Sequence, residues 1–307
     1  MNGAHRSLLY AGLAELLRSG FAWERALAEM ARDLPPRARR RVEQAATDCL
    51  SGTAPDVAGA RHGLWTGTDA ALIRAGLASG KVDDVLVRLA RWHGDGAICG
   101  RQLKARFWMP AFVLLLAAAA EPLAPLLARE IGAFDYFGIL VRSLASWAVV
   151  IGMIVFAARW VLAPAFAKAL SERVREVLPG RAMLETLRQR RYLFALETAL
   201  AAGLPADAAM ELAAQAIVHP RARASATTAA QGPRAGQPLA EALASARRLV
   251  STADRELLRT ADATGDPVPV IGRRLRGLDA DAARHCEIVA EWLPRIFYAA
   301  AVTWFVL

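Results

Sequence analysis

Two apolar stretches in the middle of this 307-residue chain constrain its fold more than any other feature. Residues 107–128, FWMPAFVLLLAAAAEPLAPLLA, number 22 and span about 33 Å as a helix, enough for a hydrocarbon core of about 30 Å. Residues 143–167 form a second stretch of similar length, in which Arg159 snorkels toward the cytoplasmic headgroups. Trp108, Trp147 and Trp160 lie near the ends, where amphipathic rings favour the interface. Between the two stretches is only a short external loop, 129–142. The last stretch, 292–307, is awkward, since the 12 residues after Arg295 amount to about 18 Å of helix. Two readings fit it: a third transmembrane helix cut short at Leu307, or a terminus that enters the membrane partway.

Hydrophobic residues make up 55% of the chain and charged ones 22%, so the two kinds have to be separated along it. Residues 1–106 hold 16 Lys/Arg against 11 Asp/Glu, residues 168–295 hold 19 against 15, and 107–167 hold 3 of each. Arg101, Lys104 and Arg106 precede the first apolar stretch, and Lys168, Arg173 and Arg175 follow the second. Basic flanks stay inside. Both polar blocks, 1–106 and 168–291, are therefore expected in the cytoplasm together with the amino terminus. A formal charge of +9 suits a surface beside anionic lipid. Nucleic acid is not expected as a partner, because the arginines are dispersed with no aromatic interleaving and no reading motif. Cys49, Cys99 and Cys286 are too few and too widely spaced for a disulfide framework or a zinc site. Neither they nor the five histidines (His5, His62, His93, His219, His285) suggest a metal or a cofactor.

The chain also repeats itself. LAELLRSGFAWERAL (13–27) resembles LETALAAGLPADAAM (196–210), which sets Gly20 against Gly203, 183 residues apart. Gly52 and Gly236 are 184 apart, Gly80 and Gly265 are 185 apart, and FWMP (107–110) meets EWLP (291–294) at 184. One offset held over about 90 residues is the signature of a duplicated unit. It also resolves a deceptive motif, AGLASGKVDD (75–84), which looks like a broken phosphate loop. Its Lys81 and Val82 align with Asp266 and Pro267, and a phosphate-neutralising lysine cannot be exchanged for a carboxylate. What the copies share is two apolar residues and then a glycine that stops a helix. Gly20, Gly80, Gly203 and Gly265 are thus candidate structural turns.

Helical periodicity divides the first block at about 6–19, 22–33, 36–51, 66–79 and 82–106, and no alternating β-branched run suggests a strand. The expected fold is all-α: two repeated antiparallel helical bundles and about three transmembrane helices. No catalytic set, metal spacing or intact phosphate loop is present, so an enzyme is not expected. Glu121 carries a carboxylate within an apolar stretch, either at the outer interface or as an intramembrane partner contact. Pro110 and Pro294 are breaks at membrane entry or shared hinges. Arg39, Arg40, Arg41, Asp83 and Asp84 are charged faces that could dock a partner.

LLRSGFAWERAL and ALAAGLPADAAM, LIRAGLASGKVDDVL and LLRTADATGDPVPVI, and WMP and WLP recur in the same order. That order resembles the inner-membrane platform proteins of bacterial type II secretion and type IV pilus machines, the secretion-system F family. Leu77 stands where that family's Gly–Glu motif has its acid, and Ala261–Asp262 replaces the motif in the second copy. The family's amino-terminal extension is nearly absent, so a divergent or minimal member is implied. The resemblance implies a non-enzymatic scaffold in the bacterial inner membrane that self-associates. Its implied partners are a cytoplasmic assembly ATPase, pilin-like subunits, other inner-membrane components and lipid. A transporter subunit, hinted at by Glu121 alone, and a membrane-anchored enzyme are the rival readings.

Overall fold

The computed structural model describes residues 3–96, 181–217, 219–245 and 265–306, with scattered positions elsewhere. Among the described residues every regular element is an α-helix and no strand occurs, as the patterning predicts. The first block contains α1 (Gly3–Arg18), α2 (Trp23–Ala31), α3 (Pro36–Leu50), α4 (Pro55–Arg61), α5 (Gly67–Ser79) and α6 (82–96). The second contains α7 (Arg181–Ala201), α8 (Ala206–Gln215), α9 (Pro220–Ala229), α10 (Gln231–Arg234), α11 (Leu239–Ser245) and α12 (Val268–Val306).

Local chemistry sets the helix ends. Proline opens α3, α4 and α9, where its fixed φ suits the first turn and its missing N–H is no loss. Thr66 and Asp69 form a reciprocal capping box at the start of α5. Gly80 ends α5 at φ 71°, while the Lys81 amide donates to the Gly76 carbonyl at 2.9 Å. That is a Schellman turn, which calls for a residue without Cβ in the left-handed region. The phosphate-loop lookalike is this turn, with α6 starting directly after it. The periodicity did not anticipate α4, whose seven residues include Gly59 and carry little helical preference of their own.

The helices fall into two compact units. Met1–Cys99 and Ala182–Arg284 form the first, so both polar blocks share it. A single hydrophobic cluster runs through that unit, with Leu9, Leu13, Leu27, Leu72, Ile73, Leu86 and Leu89 from the first block and Leu196, Met210 and Leu243 from the second. Each fully buried leucine contributes about 2 kcal/mol of transfer free energy. Helices α2 and α3 pack as an antiparallel hairpin, and α5 packs against α8 of the other block.

Gly100–Arg181 and His285–Leu307 form the second unit. Its described positions 134, 137, 138, 141 and 142, within the stretch expected as a loop, are helical. Phe112, Phe134, Phe137, Val141 and Ile288 are exposed there. Among the described residues no helix is long and apolar enough to cross a membrane. The expected spans 107–128 and 143–167 lie outside the described residues, apart from Phe112. Helix α12 continues through Pro294 without a break.

Candidate functional site

Between the two polar blocks, α6 and α7 close on each other as an antiparallel pair. Arg190, Phe194, Glu197 and Ala201 recur at helical spacing on α7 and so share one face. Lys81 donates to the Ala201 carbonyl at 3.4 Å, and Arg88 pairs with Glu197. Trp92 stacks on Phe194 with centroids 4.4 Å apart and planes 15° apart. Partners rise in number along α6 as they fall along α7, which fixes the antiparallel register.

Arg190 stands at the centre of this junction. Its guanidinium carbon lies 4.2 Å from the Trp92 ring centroid, its Nε pairs with Asp279 of α12, and its second terminal nitrogen lies 3.6 Å from Asp95. Its side chain is only 11% exposed. Partly shielded from water, a guanidinium over an indole is worth about 1–2 kcal/mol. Removing one partner of such a shielded pair costs more, because the other charge is stranded. Burial raises the Asp95 carboxyl above its ordinary range, and neighbouring Asp279 adds to this against the pull of Arg190.

A second polar centre is enclosed in the first block. Asp69, 4% exposed, accepts at one oxygen from the Tyr10 hydroxyl (2.9 Å), His93 Nε2 (3.1 Å) and the Thr66 amide (3.2 Å). Burial opposes its charge, but the donors, His93 foremost, outweigh this and hold the carboxyl below its usual value. Burial and the adjacent Asp69 push the Tyr10 phenol well above its usual value. Tyr10 also stacks on Trp65 at 5.3 Å, and Trp65 Nε1 donates to the Pro55 carbonyl at 3.0 Å. Among the described residues, no group of three or more His, Cys, Asp or Glu side chains is placed to hold a metal ion.

The residues singled out in the sequence take varied places. Gly20, Gly80, Gly203 and Gly265 all adopt positive φ, between 71° and 91°. Arg39 is committed within the fold, its guanidinium donating to the Ala31 and Arg32 carbonyls at the end of α2. Arg40 and Arg41 are exposed on α3, with no ion-pair partner among the described residues. Asp83 and Asp84 both pair with Arg18 of α1, at 2.8 and 3.0 Å. Asp262, which stands at the altered acidic motif, accepts the Ala240 amide at 2.7 Å and so caps α11. Pro110 and Glu121 lie outside the described residues. Arg190 and the Tyr10–Asp69–His93 centre escaped the sequence reading. Each joins residues far apart in the chain, and helical spacing on one face of α7 was the only local trace.

Comparison with known families matches part of the chain. Residues 10–122 match the family described as "Type II secretion system (T2SS), protein F", from α1 through α6 to Pro122. No curated protein matches the chain.

Proposed function

Because residues 10–122 carry a protein F domain of the type II secretion system, we propose that this chain is a non-enzymatic inner-membrane platform. In this reading its helical unit meets a cytoplasmic assembly ATPase. Its apolar stretches, 107–128, 143–167 and 292–307, meet pilin-like subunits and other inner-membrane components in a homo-oligomer. The family domain is the observation that carries the reading. Two features support it. Of the nine large hydrophobic residues exposed among the described residues, Phe112, Phe134, Phe137, Val141 and Ile288 belong to the second unit, where lipid or membrane-protein contact would cover them, and Leu8, Phe21, Leu50 and Val57 belong to the first. Arg40 and Arg41 are left free to meet an acidic surface, whereas Arg39 closes α2. Glu121 and Pro110 remain candidates for subunit contact and membrane entry.

The test is capture. The tagged full-length chain, solubilised in mild detergent, is expected to retain the secretion or pilus ATPase of its own host. Arg40→Glu with Arg41→Glu is expected to cut that capture at least tenfold, since reversed charge repels an acidic face. Failure of the folded wild-type chain to retain the ATPase would overturn the coupling.

A further inference from the structure

One guanidinium reaches three helices here, and in the sequence each of those helices neighbours or contains one of the apolar stretches. Helix α6 precedes residues 107–128, α7 follows 143–167, and α12 runs on to Val306. Arg190 belongs to α7, touches Trp92 and Asp95 of α6, and pairs with Asp279 of α12. We propose that Arg190 is the positioning residue that holds α6, α7 and α12 in one register, so that a displacement of either polar block reaches all three helices together.

Several observations support this. Aligned on the glycine turns, the place of Arg190 in the first block belongs to Ser7, which only donates to the Ala90 carbonyl at 2.7 Å. Phe194 and Glu197 likewise correspond to Ala11 and Ala14. The arrangement is therefore no generic part of the bundle plan and occurs where the blocks meet. Arginine is required for the geometry, because its planar fork can pair with carboxylates at its edge while its face lies on an indole. A lysine ammonium cannot do both. A second tie, Arg88 with Glu197, lies two turns of α7 further on, and a Cβ at Gly272 of α12 would come within 3.2 Å of the Glu197 carboxylate. The three helices are thus close-packed around the charge, with little room for independent sliding.

The proposal rests on the platform reading for its purpose, but its physical content can be measured without the machine. Hydrogen exchange on the full-length chain in detergent is the experiment. In Arg190→Ala, peptides from 82–96, 181–201 and 268–284 are expected to exchange about tenfold faster together, while 23–50 is unchanged. Arg190→Lys is expected to recover less than half of the lost protection. Should Arg190→Ala fail to fold, Asp279→Asn takes its place, expected to speed exchange in 82–96 about threefold because it releases the Arg190 guanidinium from α12. Faster exchange confined to the mutated helix, equal loosening of 23–50, or full recovery by lysine would each overturn the proposal. Unchanged exchange in Arg190→Ala would overturn it as well, whereas failure of the wild-type chain to capture the ATPase counts against the platform reading alone and leaves the Arg190 register to the exchange result.

Discussion

Set against each other on the glycine turns, the two polar blocks fill their described centres differently. In the first, Tyr10, Asp69 and His93 hydrogen-bond under a stacked Trp65. In the second, aligned on the glycine turns, Leu193 and Leu278 take the places of Tyr10 and His93, at 2% and 1% exposure. Gly59, above which the Trp65 indole sits so closely that a Cβ would fall 1.7 Å from Nε1, is answered by the buried Leu243. The first centre is polar and directional, and these described positions of the second are apolar. A polar centre admits few alternative arrangements, whereas an apolar one tolerates volume-conserving change. The polar centre lies within the residues, 10–122, that match the protein F family.

Asp69→Leu should break this contrast most strongly. It strands the Tyr10 hydroxyl and His93 in the interior and should destabilise the first block by about 3–5 kcal/mol, read by denaturant titration. Combining it with Tyr10→Phe and His93→Leu should recover most of the loss, since neither the phenol nor the imidazole is then left stranded in the interior. Acid should reveal the same asymmetry next. The folded Asp69 carboxyl titrates below its unfolded value of about 3.9. Its stabilisation is therefore complete above that pH and is lost as pH falls through the folded value. Amide protection in α5 is expected to drop below about pH 4 before that of 192–199 in α7.

A smaller effect should differ in sign between the blocks. Tyr10 and Tyr192 are both 0% exposed, yet only Tyr10 has a hydrogen-bond partner among the described residues. Tyr10→Phe should cost about 1 kcal/mol, while Tyr192→Phe should be neutral or stabilising in the same melt. Smallest of all, Arg18→Ala should leave the denaturation midpoint nearly unchanged, because its pairs with Asp83 and Asp84 stand in water.

What the sequence disclosed follows the range of the forces involved. Helix breaks at Gly20, Gly80, Gly203 and Gly265 were legible because a left-handed turn is decided by one residue and its neighbours. Four of the five helices expected in the first block match the described ends to within three residues, and the fifth is described as far as residue 96. Helix α4 was not legible, being short and held by its neighbours rather than by its own preference. The Tyr10–Asp69–His93 centre was hidden for another reason. Its members lie 59 and 24 residues apart, and nothing local distinguishes them from an ordinary core tyrosine, a helix cap and a surface histidine. Asp83 and Asp84 looked like a docking face and lie against Arg18, a partner 65 residues away that spacing alone could not assign.

The antiparallel pairing of α6 with α7 also sets an order of events during synthesis. Trp92 of α6 is made 102 residues before Phe194, its stacking partner. At ribosomal speeds of about 5–20 residues per second, that delay is about 5–20 s. Through that interval the newborn first block has to keep its shape with the Trp92 face still wet. Both apolar stretches leave the ribosome within it, before the two blocks can close upon each other.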